Sequence, residues 1–201
     1  MHKEILSAEQ TRLLPLVNKF SKDFFLVGGT AIALYLGHRE SIDFDLFTSK
    51  KFSNAKIKKI INEAGEKISK VALDEAGQFT FYIKGVQFTF LEYPFKIKVS
   101  SELIKMPDLL TLAAMKAYAL SRRNKWKDYV DLYFIISKHY SVKKIAAKAK
   151  QIFGEEFNVR AFREALAYFK DIDYSEEVVY LPGNITPEKE IKDGLKKFSI
   201  I

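Results

Sequence analysis

Asp43 and Asp45 stand two residues apart in the apolar run Ile42-Asp43-Phe44-Asp45-Leu46-Phe47. On a β-strand side chains alternate, so both carboxylates take one face, roughly 6–7 Å apart, and Phe44 takes the other. Such a pair is a cradle for Mg²⁺ or Mn²⁺, hard ions that prefer oxygen ligands and share them with substrate phosphates. Upstream, the apolar strand Phe24 to Val27 runs into Gly28-Gly29-Thr30 and a helical stretch, Ala31 to Leu36. Glycines let a backbone approach a ligand closely, and N–H groups at a helix start favour phosphate oxygens. Alone, a Gly-Gly pair marks a turn and an Asp-x-Asp marks a solvated strand face. At this spacing they make a phosphate seat beside a metal seat, the equipment of nucleotidyl transfer.

Other groups with chemical potential lie around this core. Arg39 could grip a phosphate bidentately, and Ser41 could cap or bond a phosphate oxygen; structural duty is an equal reading for both. Lys116 interrupts the apolar stretch Leu109 to Ala117, where it either snorkels to solvent or offsets charge on a triphosphate. Asp128 and Asp131 share a helix face, and Lys127 stands four before Asp131, at ion-pair spacing. His2, His38 and His139 show no metal-ligand spacing.

The stretch Phe25 to Phe47, with its Gly28-Gly29-Thr30 and Asp43-Phe44-Asp45, resembles the AbiEii/AbiGii-toxin type of nucleotidyltransferase, small members of the DNA polymerase β-like superfamily. Leu112-Ala113-Ala114-Met115-Lys116 and Lys127-Asp128-Tyr129-Val130-Asp131-Leu132-Tyr133 fit later blocks. The resemblance covers roughly residues 10 to 140. It implies an α+β fold: a polymerase β-like nucleotidyltransferase domain with a small mixed sheet and flanking helices, then a C-terminal helical bundle. It also implies an Mg²⁺- or Mn²⁺-dependent transfer of an NMP from an NTP to an acceptor hydroxyl, with RNA or tRNA as acceptor and a cognate antitoxin as partner. The implied catalytic residues are Asp43, Asp45, Lys116 and Asp128. Asp43 and Asp45 hold metal; Gly28, Gly29, Thr30, Arg39, Ser41, Lys116 and Asp131 hold the nucleotide. The superfamily usually adds a third carboxylate on a neighbouring strand. Here Thr89 stands at the aligned position, and Glu92 has the opposite parity. Three options stay open: a bulge that turns Glu92 inward, a two-carboxylate site, or weakened catalysis. The last leaves a nucleotide- or RNA-binding module as the alternative to an enzyme, beside a transferase acting on protein or small-molecule hydroxyls.

The elements that must position these groups are legible in outline. Ser7 to Gln10 reads as a capping box opening a helix that ends near Phe20, and Ser41 to Phe47 is the carboxylate strand. Ser53 caps a helix to about Ala64. Strands are expected at Lys67 to Leu73, Gln78 to Ile83 and Val86 to Glu92, the last two joined by a Lys84-Gly85 turn. Beyond Pro94 the pattern turns helical: Pro107 to Ser121, Trp126 to Ser137, Ser141 to Phe153, Asn158 to Phe169, and a terminal helix opened by Thr186-Pro187. The expected division is an α/β half, 1–100, and a helical half, 101–201, that completes the site.

At 201 residues, 48% hydrophobic and 29% charged, the chain can bury a real core. It has no cysteine, which excludes disulfides and thiolate metal sites. No stretch approaches membrane-spanning length and the N-terminus has no apolar signal region, so no membrane and a cytoplasmic location are expected. Between Lys116 and Lys150, ten Lys/Arg face only Asp128 and Asp131, a surplus equal to the net charge of +8. That segment is either a solvated helix face or a track for polyanions such as nucleotide phosphates or RNA.

Overall fold

The computed structural model describes residues 1–100 and 104–200, so the chain's expected division falls beside residues outside the described range. Helix α1 (Ala8–Lys19) leads to β1 (Phe25–Val27), α2 (Gly28–Leu36), β2 (Phe44–Thr48), α3 (Asn54–Glu63), β3 (Lys70–Glu75), β4 (Gln78–Ile83) and β5 (Val86–Glu92). Five further helices follow: α4 (Leu109–Leu120), α5 (Trp126–Lys138), α6 (Val142–Phe153), α7 (Val159–Ala167) and α8 (Glu188–Ile200). The fold is mixed α+β, with one five-stranded sheet in the order β1-β2-β5-β4-β3. The β2–β5 pair is parallel and its neighbours are antiparallel.

Strand alternation gives the central sheet two unlike faces. Phe44, Leu46, Phe79, Phe81, Phe88 and Phe90 are fully buried on one of them. There Phe20 and Phe24 meet the Phe90 ring edge-on at 4.8 and 4.9 Å, and α3 adds Ile57 and Ile61. Each buried Phe contributes about 1.5–3 kcal/mol, so this face anchors the sheet. The other face carries Asp45, Phe47, Gln87, Thr89 and Leu91, all bordering an open cleft.

Helix α2 links the sheet to the later helices. Its residues Thr30 to Leu34 are all buried, and it packs on β1 and β2 as well as on α4 and α5. α4 in turn packs on α5, α6 and α7, and α5 on α8. The segment 173–184 straps the helices back to the α2–β2 loop. Trp126 N donates to Asp173 O, Glu40 N to Val179 O, and Leu181 N to His38 O.

Several local expectations shift. The capping box of α1 is complete, with Ser7 Oγ accepting from Gln10 N and Gln10 Oε1 accepting from Ser7 N. Ser53 precedes α3, but its side chain makes no capping bond. Asp108, rather than Pro107, starts α4, because its carboxylate accepts from Thr111 N at 2.7 Å. The strand expected from Ser41 begins only at Phe44, and that expected at Lys67 to Leu73 lies at Lys70–Glu75.

Candidate active site

A cleft of about 550 Å³ opens between the polar sheet face, the start of α2, and the facing ends of α4 and α5. Its floor is built by strand register. Asp45 lies beside Thr89 in the parallel β2–β5 ladder, and Thr89 beside Thr80 in β4. Thus Thr89 occupies the neighbouring-strand position where a third carboxylate was sought. Glu92 pairs with Thr48, and its side chain runs along Gly77 at the β3–β4 turn. No bulge interrupts β5, so Glu92 is not turned inward.

Asp43 and Asp45 both border the cleft, although Asp43 lies one residue before the strand. The Thr30 hydroxyl donates to Asp43 O and lies 2.9 Å from Ser41 Oγ. Thr30 is buried, so its hydroxyl fixes the carboxylate loop instead of facing a phosphate. Burial, and then the charge of Asp43, push the Asp45 carboxyl up to about 6. Burial likewise raises Asp43. Among the described residues neither carboxylate has a cation within ion-pair distance.

The two glycines make room for the protein's own charged groups. Gly28 has φ +71°, and a Cβ there would clash with Asp45 Oδ2. A Cβ on Gly29 would lie 2.5 Å from Arg39 Nη2 and 3.3 Å from Ser41 Oγ. The pair therefore lets Asp45 and Arg39 close against the helix start, a second demand on positions read as a phosphate seat.

Behind the cleft wall sits a buried ionic hub. Asp131 accepts from Arg39 Nε at 2.8 Å and Nη2 at 2.9 Å, and from His38 Nε2 at 2.8 Å. Lys116 Nζ lies 2.7 Å from Asp128 Oδ1 and 3.0 Å from Asp131 Oδ2. Arg123 Nε reaches Asp128 Oδ2 at 2.8 Å. Burial opposes ionisation of Asp131, but Arg39 and then Lys116 outweigh it and hold its carboxyl well below the usual range. Burial opposes Asp128 too, and Lys116 followed by Arg123 overcomes it. The same pairs raise Lys116 against its own burial.

This hub reassigns several side chains. The bidentate grip expected of Arg39 on a phosphate is made on Asp131, and Asp131 itself does not border the cleft. Lys116 does not snorkel; it is buried and ion-paired, and it borders the cleft. Lys127 pairs with Glu176 at 3.4 Å rather than with Asp131. Gly28, Gly29, Arg39, Ser41, Asp43, Asp45, Lys116 and Asp128 all border the cleft; Thr30 and Asp131 support it from behind. Sequence reasoning missed Arg123 and Glu176, which also border it. Arg123 lies within the basic surplus, which was a signal for it. Glu176, paired with Lys125 and Lys127, arrives on the strap and had none.

A smaller hollow of about 420 Å³ lies between α1 and the start of α3. Its one acid, Asp23, is paired with Lys50, so it lacks the free carboxylates of the main cleft. Among the described residues no cluster of three or more His, Cys, Asp or Glu is arranged to hold a metal ion, and no helix is long and apolar enough to cross a membrane.

Comparison with known proteins places the chain in a family. Residues 15–194 match the family described as Nucleotidyl transferase AbiEii toxin, Type IV TA system. A relative from Aquifex aeolicus, the uncharacterized protein aq_aa25, is 33% identical over 171 residues, covering 79% of this chain and 78% of its own length. Two solved structures share the fold. MenT4, a nucleotidyltransferase toxin of Mycobacterium tuberculosis, superposes with a TM-score of 0.63 at 13% identity, covering 95% of this chain and 80% of MenT4. JHP933 of Helicobacter pylori gives 0.59 at 16% identity, covering 99% and 89%. The chain belongs to the AbiEii nucleotidyltransferase toxin family and is a nucleotidyltransferase of the toxin type.

Proposed function

We propose that this AbiEii-family chain moves an NMP from an NTP to a hydroxyl of RNA, with tRNA among the candidate acceptors, in a reaction that needs Mg²⁺ or Mn²⁺. The observation that carries the reading is the Asp43/Asp45 pair. Two carboxylates of raised pKa border the cleft with no cation in contact among the described residues, while Asp128 and Asp131 behind them each have one. Hard oxygen donors held in that state fit a divalent ion that completes its coordination with substrate phosphates. Asp43 and Asp45 would hold it, and when bound it supplies charge neutralisation at the phosphates and the leaving pyrophosphate.

The chain's own residues do the rest. Lys116 has three N–H donors, and Asp128 and Asp131 account for two. The third is the one that can reach a phosphate oxygen, held at fixed position and fully charged, which is how a preorganised cation stabilises developing negative charge. Arg123, paired with Asp128 but half exposed, supplies a second cation at the mouth. Gly28, Gly29 and Ser41 seat phosphate at the start of α2, and Arg39 and Asp131 act by positioning. Residues 1–100 thus act as the nucleotidyltransferase half, and 101–201 as the helical half that completes the site.

The basic surplus after Lys116 favours a polyanionic acceptor; Lys143 and Lys144 are exposed on α6. A cytoplasmic setting supplies both NTPs and RNA, and a cognate antitoxin would restrain the activity. Thr89 in place of a carboxylate favours the second reading, a binding module that acts by occupancy. Incubating the protein with each labelled NTP, Mg²⁺ and total RNA separates them. Label transferred to RNA, and lost in Asp45→Ala, is the expected result. NTP binding without any transfer would leave the binding module.

A further inference from the structure

We infer that Arg122 is a shelf on which a nucleobase stacks in the cleft. The inference rests on the nucleotide-transfer reading of that cleft and deepens it. Tyr118, near the end of α4, has the Phe153 ring stacked on it at 4.1 Å and 23°. The Arg122 guanidinium carbon lies 3.6 Å from the centre of the same Tyr118 ring. Two planar groups at those distances cannot share one face, so Tyr118 is sandwiched between them.

The sandwich is held on several sides. Phe95 meets Tyr118 edge-on at 5.6 Å and Phe153 at 4.8 Å. The Tyr118 hydroxyl donates to Glu156 Oε2 at 2.6 Å. Arg122 donates through Nη2 to Glu156 O at 3.0 Å and through Nη1 to Tyr118 O at 3.4 Å. Its guanidinium is therefore a fixed plane before any ligand arrives, yet its side chain is 46% exposed and borders the cleft.

A planar, weakly hydrated cation that covers an aromatic ring, is half exposed and borders the cleft matches the π-face of a base. Arg122 lies six residues beyond Lys116, and both border the cleft. The ionic end would then hold phosphates while the aromatic end holds the base as a fourth layer on Phe153, Tyr118 and Arg122. Because every base has a π-face, the shelf does not choose among the four. The base is that of the NTP or the terminal base of a single-stranded acceptor.

The test compares wild type with Arg122→Lys, which keeps the charge and removes the plane, and with Arg122→Gln. One arm measures binding of the four NTPs and of ribose 5-triphosphate, all with Mg²⁺. The other measures single-stranded oligoribonucleotides with an ordinary or an abasic 3′ residue. In one arm the wild type should prefer the base-bearing ligand by about tenfold, equally for all four bases, and both variants should erase that preference. The arm that responds identifies the source of the base. A preference that survives Arg122→Lys in both arms, or is missing from the wild type, overturns the shelf. Ribose triphosphate binding that is indifferent to Asp45→Ala would instead overturn the transfer reading of the cleft. Melting curves for both variants should match wild type, since the Arg122 side chain is half exposed.

Discussion

Two pairs of aspartates, a few residues apart in each case, meet opposite fates in one cleft wall. Asp128 and Asp131 are buried and surrounded by Lys116, Arg39 and Arg123, which hold both carboxyls below their ordinary range. Asp43 and Asp45 are pushed up, Asp45 to about 6, with no cation in contact among the described residues. The first pair has its counter-charge built in. The second leaves that charge to be supplied from outside, which is what a site for metal and phosphate requires. Residue type alone does not assign these roles; the partners brought in from elsewhere in the chain do.

The comparison breaks most visibly at Asp45. Asp45→Ala should reduce transfer by about 10³-fold or more, as expected when the ligand of a charge-neutralising group is lost. Its melting temperature at pH 7 should stay level or rise, because a repelled carboxylate is gone. Retention of full activity by the Asp43→Ala, Asp45→Ala double variant would falsify the site.

Lys116→Met probes the other pair and should behave in the reverse way. It leaves Asp128 and Asp131 buried with one fewer cation, so it should cost about 3–5 kcal/mol of stability as well as activity. Chemical denaturation checks this. A midpoint unchanged from wild type would mean that Lys116 is not the hub's counter-charge. The sequence alone presents Lys116→Met as a clean removal of charge, and its burial between two carboxylates overturns that.

The pairs should also separate by pH. Asp45 titrates near 6 when folded and near 4 when unfolded. The folded state therefore holds a proton that the unfolded chain has released, and stability falls as pH rises from about 4 to about 6. Asp45→Asn should remove the share of that fall due to Asp45 and leave only that of Asp43. The depressed Asp128 and Asp131 contribute stability that is present above about pH 4 and lost as pH drops below it. Melting temperatures at stepped pH, for wild type and Asp45→Asn, would show whether the two slopes have opposite sign. Divalent-ion binding should weaken on the acid side of pH 6, where the proton competes for Asp45.

The smallest expected effect lies outside both pairs. Replacing Lys143, Lys144 and Lys148 with Gln should weaken RNA binding and flatten its salt dependence by up to about three charges, while NTP binding stays intact. An unchanged salt slope would remove α6 from the acceptor path.

The Asp43-x-Asp45 pair and the glycines before it were legible because they lie within a single short strand–helix–strand stretch, where local spacing fixes geometry. The Lys84-Gly85 turn was legible for the same reason: Lys84 at φ 50° and Gly85 at φ 81° adopt the left-handed pair that a two-residue hairpin needs. The order of strands first and helices afterwards followed from the change in periodicity beyond Pro94. The hub was not legible. Arg39 and Asp131 are 92 positions apart, and nothing in either neighbourhood says that the Arg39 fork will turn inward to an aspartate and away from a phosphate. Nor does local pattern foresee that Thr30 will hold Asp43 O and so delay the strand to Phe44. Glu176 was hidden for a related reason, since it stands in an irregular strap whose course is set only by docking.

That strap and hub have a consequence in time. As the chain leaves the ribosome, Asp43 and Asp45 emerge first, with the sheet strand β5 soon after. Lys116, Asp128 and Asp131 arrive much later, and the strand-like bridge between Arg39 and Tyr180 later still. Contacts that span so much sequence form only when the intervening chain exists and its loop entropy has been overcome. A nascent or truncated chain therefore carries the acidic pair without the cations that face it. A cleft with both its acidic floor and its cationic wall in place therefore requires the chain as far as Tyr180.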